Sequence, residues 1–114
     1  NVAEVMNIIG DVKNKNVLIV DDLIDTGGTF SNSVQVLKEK GAKDIYGVCT
    51  HPILSGHAIE KIDNSPLKKL FVSDTVELHH TSPKIEIKTV SNLFAEAIKR
   101  TNENESISSL FDTI

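Results

Sequence analysis

Residues 17–37, VLIVDDLIDTGGTFSNSVQVL, constrain the fold more than any other stretch of the chain. Residues 17–20 are a short, continuous run of mostly branched apolar side chains, which reads as a strand buried on both faces. After a turn rich in aspartate and glycine, Phe30, Val34 and Leu37 fall at i, i+4 and i+7, the spacing of one helix face. Lys38-Glu39-Lys40 then leads to Gly41, placed as a left-handed cap just past the last turn. A buried strand feeding a helix through a tight turn is the first half of a βαβ unit, and such units assemble parallel sheets.

The alternation continues downstream. Residues 45–49 read as a second buried strand, broken by Thr50-His51-Pro52, and Ser55 is placed to cap a short helix carrying Ala58, Ile59 and Ile62 inward. Residues 70–72 are a third strand, and residues 85–90 a fourth that alternates as a half-exposed edge strand would. Ser91 is placed to cap a last helix with Leu93, Phe94, Ala97 and Ile98 along one stripe, and Glu96 and Arg100 pair at i, i+4 on its wet side. Residues 2–9 fit a strand better than a helix, and Ile107, Leu110 and Phe111 of the tail are expected to dock. The expected class is therefore α/β: residues 1–114 form one domain, a parallel sheet flanked by helices and joined by right-handed crossovers.

Composition narrows what such a domain could bind. With no tryptophan and few aromatics, the core has to be built from Val, Ile and Leu. A net charge of −4 provides no general field for nucleic acid or acidic lipid, so neither is an expected partner. An anionic ligand would have to be held by local dipoles, a metal ion or charges from another chain. The single cysteine, Cys49, forbids an internal disulfide and points to a reducing, cytoplasmic setting. It lies in an apolar run with no activating base nearby in sequence, the setting of a core thiol. No stretch approaches the ~20 apolar residues of a membrane span, and no signal peptide is visible. The chain opens on Asn1 rather than Met, which suggests a piece of a longer product.

In open α/β sheets, ligands bind at the carboxyl ends of the strands. Here that position carries Asp21, Asp22 and Asp25, followed at once by Thr26-Gly27-Gly28-Thr29. The two glycines let successive N–H groups converge into an anion nest, the start of the helix adds its positive dipole end, and both threonine hydroxyls can donate. Asp21 and Asp22, as neighbours on a strand, point to opposite sides and cannot serve one atom by the same route. Carboxylates beside a phosphate nest suit a ligand with two unlike ends, a sugar phosphate: hydroxyls at the aspartates, directly or through Mg²⁺, and phosphate in the nest. The plainer alternative, aspartates that cap a helix after a tight glycine turn, leaves three Asp with Thr-Gly-Gly-Thr unexplained. A Walker A loop and a dinucleotide fingerprint are both excluded, since neither Gly-Lys-Ser/Thr nor G-x-G-x-x-G occurs. His79-His80 lacks spaced metal-ligand partners and reads as an exposed loop, His51 as a structural histidine, and the pairs Lys38/Lys40 and Lys68/Lys69 as solvated faces.

VLIVDDLIDTGGT at residues 17–29 resembles the phosphoribosyl-pyrophosphate (PRPP) motif of the type I phosphoribosyltransferase fold. The flanks, NVAEVMNIIGDV at 1–12, GAKDIYGVCTHPILSGHAIEKIDNSPL at 41–67 and ESISSLF at 105–111, resemble the ribose-phosphate pyrophosphokinase (PRPP synthetase) family over essentially the whole chain. Two positions depart from the family pattern: Gly27 stands at a common alanine and His57 at a usual proline.

The resemblance implies transfer of a diphosphoryl group from Mg·ATP to ribose 5-phosphate, giving PRPP and AMP. It implies that this chain is the second of two related domains. Asp25, Thr26, Gly27, Gly28 and Thr29 would hold the 5-phosphate, Asp21 a ribose hydroxyl, and Asp22 the other hydroxyl or the Mg²⁺ shell. The ATP pocket, the metal-binding histidine and a mobile basic loop would belong to the preceding part of the enzyme. The isolated chain is accordingly expected to be inactive, with no catalytic residue or metal ligand of its own. The full-length enzyme would be a homo-oligomer, dimers building a hexamer, and Ser106 and Ser108 match serines of an effector site between subunits. A phosphoribosyltransferase would share the nest but needs a base-recognition segment, which is not found. A non-catalytic homologue would keep the fold. A phospho-accepting receiver domain matches the size and the Asp21-Asp22 pair but not the Thr-Gly-Gly-Thr turn.

Overall fold

In the computed structural model, which describes residues 8–112, alternating apolar runs and amphipathic stretches fold as strands and helices in turn. The elements are β1 (Val17–Ile24), α1 (Gly28–Glu39), β2 (Ile45–Pro52), α2 (Ala58–Asp63), β3 (Lys69–Val72), β4 (Ile85–Ile87) and α3 (Ser91–Asn102), with a short 3₁₀ turn at Ser108–Phe111. The four strands form one parallel sheet in the order β1-β2-β3-β4, as the α/β reading requires. The expected strand at residues 2–9 lies mostly outside the described residues, and Ile8 and Ile9 belong to no strand.

The strand register sorts side chains onto two unlike faces. Ile19, Gly47, Leu70 and Ile85 align across the sheet, as do Asp21, Cys49, Val72 and Ile87. This is the face toward α1 and α2, whose Phe30, Val34, Leu37, Ala58 and Ile62 complete the core. Gly47 is required by that packing. A Cβ there would lie 2.6 Å from Phe30 Cζ and 2.9 Å from Leu70 Cδ1. α1 stops as its sequence predicts: Gly41 takes φ 93, and the amides of Gly41 and Ala42 return to the carbonyls of Lys38 and Leu37 at 3.0 and 3.1 Å.

On the other face Leu18 aligns with Tyr46 and Lys69, and Val20 with Val48, Phe71 and Glu86. Leu18 is 57% and Val20 74% exposed. This corrects the expectation of a first strand buried on both faces: a continuous apolar run shows that both faces are apolar, not that both are covered. On this same face Lys88 lies 6.0 Å from the Phe71 ring centroid and pairs with Glu86 at 2.7 Å.

Several boundaries also move. β2 runs through His51 and Pro52 because β1 continues to Ile24 and the ladder pairs Ile24 with Pro52. Proline is tolerated at that last position, where no further ladder donor is needed. Ser55 does not cap α2; His57 occupies the cap position, with Nδ1 3.2 Å from Glu60. β4 ends at Ile87, and Asp74 takes over, accepting from Thr89 Oγ1 at 2.5 Å and from the Val90 amide at 2.9 Å. These bonds hold the Asp74 carboxyl below the usual carboxylate range, the Thr89 hydroxyl contributing most and the Val90 amide next. Ser91 is the first residue of α3, not its cap, and its amide donates to Thr89 Oγ1 at 3.1 Å.

The expected apolar stripe of α3 forms but buries nothing: Leu93, Phe94 and Ile98 are all exposed. Glu96 and Arg100 do pair, at 2.9 Å, and Arg100 also donates to Ser109 Oγ at 2.6 Å. The tail does not dock as expected, since Ile107 and Phe111 stay exposed and Leu110 is half-buried. Among the described residues no helix is long and apolar enough to cross a membrane.

Candidate functional site

The site grows out of the junction between β1 and α1. Ile24, the last residue of β1, and Phe30, in the first turn of α1, are both buried, so the intervening loop is anchored in the core at each end. Between them Gly27 takes φ 80 and occupies the N-cap position of α1. A Cβ there would meet Ala58 at 3.4 Å, an ordinary contact, so the demand for glycine lies in the backbone angle.

Having no side chain, Gly27 leaves the helix uncapped; no side chain accepts from its free amides, and no acidic residue lies in the first turn. The first intrahelical bond runs from the Ser31 amide to the Gly27 carbonyl at 2.9 Å. The amides of Gly28, Thr29 and Phe30 precede it and have no helical partner, while the dipole places partial positive charge at the same spot. Residues 23–30 and Asp21 line a cavity of about 220 Å³ around this helix end.

The aspartates separate as strand geometry dictates. Asp21 aligns with Cys49 on the helix-covered face, and its Oδ1 accepts from the Leu23 amide at 3.4 Å. Asp22, on the opposite face, is exposed and does not line the cavity. Asp25 turns toward the β2–α2 segment, where Ser55 Oγ donates to its Oδ1 at 2.5 Å and the Ser55 amide to its carbonyl at 2.9 Å. Of the predicted site residues, Asp21, Asp25, Thr26, Gly27, Gly28 and Thr29 share one cavity, and Asp22 stands apart.

Burial is the main reason the Cys49 thiol is held above its ordinary range, and Asp21 and Asp22 reinforce the shift. Cys49 therefore sits beneath the site as a protonated core thiol. His51 Nδ1 lies 2.8 Å from Thr75 Oγ1, a partner that supports its structural reading. His79 and His80 are exposed, and among the described residues no three metal-capable side chains converge. Ser106 and Ser108 sit beyond α3, where the Ser108 amide donates to Ser106 Oγ at 3.2 Å, and no hydrogen bond ties them to the loop.

Sequence reasoning missed two residues. Ser55 was expected to cap a helix and instead holds Asp25. Lys61, on α2, donates to the Thr26 carbonyl at 3.2 Å. The only sequence signal for Lys61 was its place beside Ile62 on a short amphipathic helix, which also fits a solvated lysine.

Residues 2–112 match the model of the phosphoribosyl synthetase-associated domain family. The chain belongs to that family. It is 59% identical over 114 residues to a ribose-phosphate pyrophosphokinase of Chlorobaculum tepidum, an alignment covering 99% of this chain and 35% of the relative. A ribose-phosphate pyrophosphokinase of Clostridium tetani is 50% identical over 98% of this chain and 36% of its own length. Among solved structures, phosphoribosylpyrophosphate synthetase from Mycobacterium smegmatis superposes with a TM-score of 0.82 at 34% identity, covering 84% of this chain and 33% of that one. The chain thus spans about a third of the length of the curated relatives it matches.

Proposed function

We propose that this chain supplies the ribose 5-phosphate site of a ribose-phosphate diphosphokinase, an enzyme that makes PRPP and AMP from Mg·ATP and ribose 5-phosphate. The observation that carries the proposal is the uncapped start of α1 opening into the same cavity as the Asp21 carboxylate. Helix amides and dipole suit the phosphate end of the sugar, and a carboxylate that accepts hydrogen bonds suits its hydroxyl end. The names of the relatives point to the same substrate class.

In this reading the amides of Gly27, Gly28, Thr29 and Phe30 and the hydroxyls of Thr26 and Thr29 take the 5-phosphate. Asp21 takes a ribose hydroxyl and orients the anomeric oxygen for attack on the β-phosphorus of ATP, from which AMP leaves. Asp22 faces away from the cavity, so its role is in the Mg²⁺ shell or with a group arriving from the other side of the sheet. Mg²⁺ commonly takes one or two carboxylates and completes its shell with substrate phosphates and water, and the single exposed carboxylate of Asp22 would be enough for that pattern. When bound it would neutralise charge on the transferring phosphates. The nucleotide pocket and the cations around the migrating group are assigned to the rest of the longer enzyme, together with its oligomeric assembly and any effector role of Ser106 and Ser108. The 114-residue chain alone is then expected to form no PRPP.

Titration calorimetry with two ligands tests the site. Thr29→Ala should weaken both ribose 5-phosphate and inorganic phosphate by about tenfold or more, the loss of one charge-assisted hydrogen bond. Asp21→Asn should weaken the sugar phosphate alone. Unchanged affinities for both variants, or equal losses for Asp21→Asn, would refute the assignment.

A further inference from the structure

Three consecutive carbonyls of the site loop are held from one side. The Leu54 amide donates to the Ile24 carbonyl at 3.0 Å, the Ser55 amide to the Asp25 carbonyl at 2.9 Å, and Lys61 Nζ to the Thr26 carbonyl at 3.2 Å. Leu54 takes a left-handed conformation, φ 49, and Gly56 follows at φ 58, so the β2–α2 turn folds back against the loop. All described peptide bonds are trans. In a trans peptide the carbonyl of one residue and the amide of the next point in opposite directions. Fixing the Ile24, Asp25 and Thr26 carbonyls toward β2–α2 therefore turns the amides of Asp25, Thr26 and Gly27 away from it. Lys61 does not line the cavity at residues 23–30; it lines the adjoining groove between α1 and α2, and Gly28 borders both.

We propose that Lys61 is a positioning residue for the anion site: its ammonium group holds the Thr26 carbonyl and so sets the peptide that presents the Gly27 amide. This rests on the reading of residues 25–29 as a phosphate cradle. Two clamps are donated by backbone amides rather than by the side chains of Leu54 or Ser55. The third depends on one side chain, and it acts on the peptide entering the left-handed Gly27. Lys61 forms no ion pair among the described residues, so its charge also stays unneutralised beside a loop flanked by three aspartates. Without it the Thr26–Gly27 peptide is free to rotate, and its amide leaves the cradle for part of the time.

Calorimetric titration of the chain with inorganic phosphate, ribose 5-phosphate and unphosphorylated ribose tests this, using Lys61→Met and Lys61→Arg. Lys61→Met should weaken both phosphate ligands by about five- to tenfold, the net scale of one solvent-exposed hydrogen bond. Its melting temperature should be unchanged and any response to ribose unaltered, while Lys61→Arg should restore phosphate affinity. Phosphate affinity of Lys61→Met equal to that of the unaltered chain overturns the inference and leaves the cradle standing. Losses that appear only with a lowered melting temperature overturn it in favour of a structural role. Absence of phosphate binding by the unaltered chain overturns the cradle itself, and the inference with it.

Discussion

Residues 24–72 and residues 83–112 carry apolar patterns of similar quality, yet among the described residues every buried hydrophobic side chain lies in the first segment. The stripe of α1, Phe30, Val34 and Leu37, finds a sheet to pack on. The stripe of α3, Leu93, Phe94 and Ile98, is regular and exposed. Periodicity in a sequence specifies that a helix has an apolar face; it does not specify what covers that face. The candidate site belongs to the packed region. Its loop is pinned at Ile24 and Phe30, and Ala58 lies against Gly27, so the positions of its amides follow from the core. The residues leading into α3 are tied to the segment after β3 by Asp74, a polar and exposed link.

The largest expected difference between the regions is in stability. Ile62→Ala removes a fully buried side chain beneath the site and should cost about 2–5 kcal/mol, whereas an exposed position such as Ile98→Ala should change stability by no more than about 0.5 kcal/mol. Denaturant melts of both variants check this. Equal losses would mean that the α3 stripe is buried in solution.

Gly47→Ala sharpens the comparison from the other direction. Its new methyl would press on Phe30 and Leu70, with an overpacking cost of about 1–3 kcal/mol. Because Phe30 sits in the first turn of α1, phosphate affinity should fall as well, which the same calorimetry would read.

The smallest effect concerns pH. The Asp74 carboxyl has a lowered folded pKa, so its contribution is fully present above the ordinary carboxylate value. It should fade as pH falls through that value to the lower folded one. Asp74→Asn should remove that acid-side dependence at the start of α3 without altering the site, as amide exchange at Val90 and Ser91 would show.

Much of this was legible in sequence because it is local. The strand before the loop, the glycine turn, the spacing of Phe30, Val34 and Leu37, and the Gly41 cap each follow from a few neighbouring residues. So does the divergence of Asp21 and Asp22, which strand alternation alone dictates. What escaped was pairing at a distance. β2 was extended to Pro52 by its partner strand, Ser55 was taken from its helix by Asp25, and Lys61 was brought to Thr26 by the packing of α2 against α1. The open sheet face escaped for the same reason: Leu18 and Val20 are apolar whether or not anything lies over them.

Amide chemical shifts of the isotope-labelled chain during titration with ribose 5-phosphate test the central claim most directly. The account predicts saturable shifts at Gly27, Gly28, Thr29 and Phe30, with Asp21 following, and none along α3. Inorganic phosphate should reproduce the shifts of the helix start but not that of Asp21. Saturable binding that leaves residues 25–30 unmoved, or that moves α3 instead, would contradict it.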